Sequence, residues 1–256
     1  MKTLFAHADR PLVFGHRGYA SQAPENTMAA FKLCAERGIF GIELDVHRCA
    51  TGEIVVIHDH TVDRVAGVSG HVEEMSLGAL RELEVGSHAG SAFTGERIPL
   101  LQEVLETFGD SIHYDIELKM EGTQNTGLAE STWELIQQYH LEHVSLVSSF
   151  NPFAIRQFNR VSKKAVPTAV IYSEAEEVPA PLRHGWGRHI ARCSVLKPDF
   201  QLVTEKSVRK FNLRLGYPLL AWTVDDYAEG KRLIELGVSG LVSNDPGLFS
   251  DLIGQR

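Results

Sequence analysis

"LVFGHRG", residues 12–18, is a short apolar run that ends on a histidine and an arginine. Leu12, Val13 and Phe14 suit a strand buried on both faces. His16 and Arg17 do not suit an interior, so the strand must deliver them to a place where charge is needed. Comparable runs follow along the chain: "GIELDV" (41–46), "IHYDIEL" (112–118), "VSLVSSF" (144–150), "PTAVIY" (167–172), "CSVLKP" (193–198), "PLLAWTV" (218–224) and "GLVSN" (240–244). Helical patterns separate most of them. "ENTMAAFKLCAERG" (25–38) sets Met28, Ala29, Phe31, Leu33 and Ala35 as its apolar stripe and stops at Gly38, and "YAEGKRLIELG" (227–237) does the same with Leu233, Ile234 and Leu236 before Gly237. Eight strand-like runs alternating with helices in 256 residues predict an α/β fold, a (β/α)8 TIM barrel. A doubly wound open sheet is the alternative.

One segment departs from the alternation. After "IELDVHR" comes "CATGE" and then "IVVIHD", too soon for a parallel crossover, so a hairpin follows strand two. With its turn near Thr51, positions summing to about 102 face each other, which sets His58 or a neighbour across from Glu43. Residues 60–97 form an insertion whose glycines and short "LGALREL" helix predict a small cap over the barrel mouth. The whole of 1–256 reads as one domain, with no linker-like tract.

The formal charge is −8, from 33 acidic and 25 basic side chains without a basic run. That argues against nucleic acid or a stable membrane surface as partner. No segment approaches the roughly 18 uncharged residues of a membrane span. The start, "MKTLFAHADRPLVFG", is interrupted by His7, Asp9 and Arg10 where a signal peptide needs an unbroken apolar stretch, so a cytoplasmic location is expected. Cys34, Cys49 and Cys193, scattered and without CxxC spacing, argue against a disulfide framework or a structural zinc site. Nothing in the sequence bears on oligomeric state.

In a barrel, chemistry sits at the carboxyl ends of the strands. His16-Arg17, Glu43-x-Asp45, His58-Asp59 and Glu117-x-Lys119 all fall there. Glu43 and Asp45, two apart on a strand, share a face, and Glu117 adds a third acid from the next strand. Such a carboxylate set suits one divalent metal ion, Mg²⁺ or Ca²⁺, better than zinc. The alternative is a set of salt-bridged acids. His16 and His58 each close an apolar strand beside these acids, where imidazoles serve as general acid and base. His47 and His60 compete for the same assignments, and His7, His71, His88, His140, His143, His184 and His189 receive no role. Arg17 and Lys119 can neutralise a phosphate, or pair internally with the acids. Ser149 lacks an evident base.

"GHRG" followed by "PENT", "GIELDVHRCATGEIVVIHD", "DIELK", "SSF", "AWTVDD" and "SNDP", in this order from about Pro11 to Pro246, resembles the glycerophosphodiester phosphodiesterases. The resemblance implies a (β/α)8 barrel that hydrolyses glycerophosphodiesters, such as glycerophosphocholine or glycerophosphoethanolamine, to glycerol 3-phosphate and an alcohol. It implies His16 and His58 as the acid/base pair, Arg17 and Lys119 on the phosphate, Glu43, Asp45 and Glu117 on the metal, and Phe150 and Trp222 as an apolar wall for the substrate. Two departures, Asp225 after "WTV" and the lysine of "LKP", are expected to lie off the metal and phosphate positions. A lysophospholipase D-like or sphingomyelinase D-like enzyme is the alternative, and the sequence shows no exposed patch for a lipid. An amidohydrolase barrel would want His-x-His on strand one; "HDH" (58–60) has that spacing, but on the hairpin. A non-catalytic binding barrel should have lost one of the seven charged or histidine groups, all of which are present.

Overall fold

The computed structural model describes residues 10–176 and 178–253. The N-terminal stretch on which the signal-peptide reading and His7 rest lies outside the described residues. Among the described residues nine strands form: β1 (Leu12–Gly15), β2 (Gly41–Arg48), β3 (Ile54–Val56), β4 (His113–Leu118), β5 (Ser145–Ser149), β6 (Thr168–Tyr172), β7 (Val195–Pro198), β8 (Leu220–Ala221) and β9 (Gly240–Ser243). Eight of them run parallel in the order β7-β6-β5-β4-β2-β1-β9-β8. Parallel bridges Leu196↔Leu219 and Asp199↔Trp222 join β7 to β8, so the barrel is nearly closed. The eight expected strands are all present. β8 is shorter than its sequence run, and isolated bridges carry the pairing on either side of it.

β3 is the expected hairpin return. It pairs antiparallel to β2 as Val46↔Val56, His47↔Val55 and Arg48↔Ile54, the anticipated register. The ladder then stops, with the Ile57 amide donating to the Asp45 carbonyl. His58 therefore leaves the hairpin before it reaches the level of Glu43.

Strand alternation divides the interior in two. Ile42, Leu44 and Val46 turn outward into a large cluster with Phe31, Leu101 and Leu105 from the helices. On the opposite face, Leu12, Phe14, Leu146, Ala169, Val195, Leu220 and Val242 fill the barrel floor. Glu43 and Asp45 share that inner face above the floor, which is why acids occur on an otherwise apolar strand.

The helix Met28–Glu36 buries Ala30, Phe31 and Cys34, so Phe31 of the expected stripe lies in the core, Met28 and Leu33 pack half-buried against it, and Ala35 is exposed. The cause is the loop after β1. The Tyr19 amide donates to the Ala30 carbonyl, and a Cβ added at Gly18 would lie 2.6 Å from Ala30 Cβ. The helix is rolled so that its small residue meets this loop. Gly18 also has φ +84°, a conformation that costs other residues. The helix Tyr227–Leu236 ends on left-handed Gly237, as expected, and buries Leu233.

The insertion contains the short helices Asp63–Ala66 and Leu77–Glu82, the second on the expected "LGALREL". Val62, Val72, Leu80, Val85 and Ile98 pack there with Cys49, Val55 and Ile57 of the hairpin, a core separate from the barrel's. The insertion is thus rooted on β3.

Gly18→Ala combines a steric clash with a disfavoured φ. We expect it to lower the unfolding free energy by about 3 kcal/mol. Denaturant titration against the unsubstituted protein measures this, and an unchanged midpoint would mean that the loop does not set the helix position.

Candidate active site

The β2–β4 register places Glu43 opposite Asp115 and Asp45 opposite Glu117. The four buried carboxyls therefore form two layers inside the barrel, and each layer carries a lysine. In the lower one, Lys197 Nζ lies 2.8 Å from Asp115 Oδ2 and 3.1 Å from Glu43 Oε1. In the upper one, Lys119 Nζ lies 2.6 Å from Glu117 Oε1 and 3.0 Å from Asp45 Oδ1. Asp45 Oδ2 also accepts from Asn26 Nδ2 at 2.8 Å and lies 3.5 Å from Arg17 Nε.

These contacts decide which acids stay ionised. Burial pushes the Asp45 carboxyl up, but Lys119, His58, Arg17 and the Asn26 hydrogen bond outweigh it and hold Asp45 well below the usual range. Glu43 is likewise lowered against burial, chiefly by Lys197. Burial wins at the two β4 acids. It raises Asp115 despite Lys197, and takes Glu117 to about 7 despite Lys119. Both lysines are raised by the acids against their own desolvation and remain charged.

The carboxylate oxygens of Glu43, Asp45 and Glu117 lie within 4.8 Å of one another. Three buried hard oxygen donors on one inner wall fit Mg²⁺ or Ca²⁺. Glu117, which burial raises even beside Lys119, is the kind of group a further cation would hold deprotonated.

Each expected histidine is oriented by a relay. Asn244 receives Asp225 at both its backbone and side-chain nitrogens, donating to Oδ1 at 2.8 Å and to Oδ2 at 2.6 Å. That turns Asn244 Oδ1 toward His16 Nδ1, 2.8 Å away. An amide oxygen only accepts, so Nδ1 holds the proton and Nε2 is left facing the acids, 4.0 Å from Glu43 Oε2. His58 Nδ1 donates to Asp59 Oδ1 at 2.6 Å, and Arg64 Nε fixes Asp59 Oδ2 at 2.7 Å. Its Nε2 is free as well. Desolvation lowers the His58 pKa, against the opposing pull of Asp45.

Arg17 donates from Nη1 to Glu25 Oε1 at 2.9 Å, and its backbone amide donates to Glu43 Oε2 at 3.1 Å. Internal pairing of both Arg17 and Lys119, the alternative from the sequence, is thus present in the structure. The Phe150 and Trp222 rings meet edge to face at 5.3 Å, and Trp222 Nε1 donates to the Lys197 carbonyl at 3.0 Å. Ser149 Oγ donates to the Leu118 carbonyl at 2.7 Å, so its proton is committed to the backbone. The "HDH" histidines separate: His58 faces Asp45, while His60 packs against His47.

One expectation needs correction. Lys197, the lysine of "LKP", does not lie off the carboxylate site but binds Glu43 within it. Strand β7 faces β2 across the barrel, a neighbourhood that no local pattern reveals. Asp225 lies outside the acid cluster yet orients His16 through Asn244. Sequence reasoning also missed Asp115, although Asp115-x-Glu117 repeats the Glu43-x-Asp45 spacing. It gave no role to "PENT", where Glu25 holds Arg17 and Arg64, Asn26 holds Asp45, and Thr27 caps the helix.

Comparison with known proteins identifies the family. Residues 16–248 match the glycerophosphoryl diester phosphodiesterase family. A glycerophosphodiester phosphodiesterase of Caldanaerobacter subterraneus is 34% identical over 248 residues, covering 95% of this chain and 98% of that protein. One from Bacillus altitudinis is 32% identical, covering 91% and 94%. The solved structure of a phosphodiesterase from Oleispira antarctica, in complex with the product sn-glycerol-3-phosphate, superimposes with a TM-score of 0.81 at 27% identity and covers 95% of this chain and 97% of that one.

Lys197→Met removes the cation shared by two buried acids. We expect a loss of about 3–5 kcal/mol in unfolding free energy at neutral pH. Additional replacement of Asp115 by leucine should recover part of it. If Lys197→Met alone is neutral, the lower layer is not held by this ion pair.

Proposed function

Because the chain belongs to the glycerophosphoryl diester phosphodiesterase family, we propose that it hydrolyses glycerophosphodiesters, such as glycerophosphocholine or glycerophosphoethanolamine, to glycerol 3-phosphate and an alcohol. The observation that carries this reading is the pair of histidines, each with Nδ1 committed to an orienting group and Nε2 left free beside the carboxylate cluster.

Glu43, Asp45 and Glu117 would hold one divalent ion, Mg²⁺ or Ca²⁺. When bound, such an ion withdraws charge from phosphate oxygens and eases attack at phosphorus. Arg17 and Lys119 stand beside the same acids and offer a guanidinium fork and an ammonium to the phosphate. His58, kept neutral by its desolvated position, takes the proton of the attacking hydroxyl at Nε2. As the new P–O bond forms and the bond to the alcohol breaks, His16, entering the step as an imidazolium with Nδ1–H on Asn244, hands its Nε2 proton to the departing oxygen. Asn244 and Asp59 keep both rings turned for this exchange. Phe150 and Trp222 form an apolar wall for the glycerol or the alcohol. The attacking hydroxyl belongs to water or to the neighbouring glycerol carbon, and a transient cyclic phosphate product would identify the second.

We read 1–256 as a single catalytic domain acting in the cytoplasm on a small molecule, without stable membrane association. Among the described residues no helix is long and apolar enough to cross a membrane. One observation favours a second reading, a lysophospholipase D-like activity. The sequence showed no apolar patch, but Ala180, Pro181, Leu182, Trp186 and Ile190 line an open concavity of about 610 Å³, and Trp186 is 59% exposed.

The test is release of glycerol 3-phosphate after chelation, then with Mg²⁺ or Ca²⁺ restored. Activity should return with metal, and His16→Ala and His58→Ala should each lower kcat by about 10²–10⁴. Faster turnover of lysophosphatidylcholine than of glycerophosphocholine would favour the lipid reading instead.

The acid limb of kcat/KM should report His58. Burial disfavours its imidazolium, so activity should persist as pH falls through about 6.5, the ordinary histidine value, and disappear only below it. Asp59→Asn removes a charge that favours the imidazolium, so the limb should move to still lower pH while kcat falls. A limb that moves upward would exclude His58 as the base.

A further inference from the structure

A second group of ionisable side chains lies next to the carboxylate centre without belonging to it. His47 follows Asp45 on the inner face of β2, beyond the barrel rim, and is fully buried. Its Nε2 lies 3.4 Å from the His58 carbonyl oxygen. A carbonyl only accepts, so this nitrogen carries the ring proton. Nδ1 then presents a lone pair. It is buried without a hydrogen-bond partner, and Glu73 Oε1 is 3.7 Å from it.

An imidazole lone pair facing a carboxylate is repulsive unless a proton or a metal cation stands between them, and three such donors together give a metal ion its place. The surroundings repeat the pattern. The His60 ring packs edge-on against His47 at 4.8 Å, and the His71 ring stacks on His60 at 6.1 Å. Nδ1 of both rings is also buried and unpartnered. Glu121 Oε1 lies 3.6 Å from His60 Nε2. Ligand atoms of His47, His60 and Glu73 fall within 4.8 Å of one another.

We propose that His47, His60 and Glu73 bind a divalent transition-metal ion of the Zn²⁺ class, separate from the carboxylate centre, with His71 or Glu121 supplying a further ligand. The donor chemistry separates the two centres. Two imidazoles and a carboxylate suit Zn²⁺, Co²⁺ or Ni²⁺, whereas an all-carboxylate set suits Mg²⁺ or Ca²⁺. A histidine ligand that donates its other ring N–H to a backbone carbonyl is the orientation such sites use. Here that carbonyl belongs to His58. The ion would tie β2 to the end of the hairpin and to the insertion residues His71 and Glu73, steadying the backbone of His58.

The test uses the full chain, stripped with chelator and then saturated with Mg²⁺ to fill the carboxylate centre. Co²⁺ is added as a spectroscopic probe, and bound Zn²⁺ is counted by elemental mass spectrometry. One Co²⁺ per chain should bind, with the visible absorption of a nitrogen- and oxygen-ligated site, and Zn²⁺ should displace it. Glu73→Gln and His60→Asn should weaken Co²⁺ binding about tenfold or more, with circular dichroism confirming that both variants fold. Zn²⁺ should raise the melting temperature of the unsubstituted protein and not that of Glu73→Gln. Glu117→Gln should leave the Co²⁺ spectrum intact. Absence of the Co²⁺ band, or a band that survives Glu73→Gln and His60→Asn and is lost in Glu117→Gln, would overturn the proposal.

Discussion

The structure depends on holding four carboxyls inside a β-barrel. Burying a charge is unfavourable unless it is paired, and here Lys197 spans Glu43 and Asp115 while Lys119 spans Asp45 and Glu117. The two lysines come from different strands, so the ion pairs connect β2, β4 and β7 through the barrel interior. The pairing is unequal. Glu43 and Asp45 are lowered, whereas burial raises Asp115 and Glu117 despite the lysine beside each. On this wall the carboxylate oxygens of Glu43, Asp45 and Glu117 come within 4.8 Å of one another, a set that could hold a metal ion.

The loops above this lattice orient the two histidines. Imidazole has two nitrogens, and a proton-transfer role requires that the structure choose between them. Asp225 acting through Asn244 makes the choice for His16, and Asp59 backed by Arg64 makes it for His58. Arg64 also reaches Glu25, the partner of Arg17. The first residues of the insertion are thereby linked to the loop that carries His16 and Arg17. A segment with its own apolar core takes part in ordering the barrel mouth.

Much of the fold was legible because it rests on local pattern. Eight strands, the hairpin register and the helix ending at Gly237 follow from apolar runs, chain length and turn residues. The stripe on the first helix was legible only in part: Met28, Phe31 and Leu33 meet the core, but the burial of Ala30 and Cys34 answers to the approach of Gly18 to Ala30, a contact between segments. The same division holds at the site. His16, Arg17, His58 and Lys119 were found because each follows an apolar run, and Glu43, Asp45 and Glu117 because acids at alternate positions stand out in an otherwise apolar strand. Asp115 was passed over and Lys197 was expected off the site because both acquire meaning only from what lies across the barrel.

By itself, then, the sequence determined the barrel and the residue types at its mouth, because strand period and chain order are local properties. Tertiary structure alone decided which lysine meets which acid, which nitrogen of each histidine is free, and that His47, His60, His71 and Glu73 converge. Those relations depend on distances between residues far apart in the chain, and a distance across the barrel has no counterpart in sequence spacing.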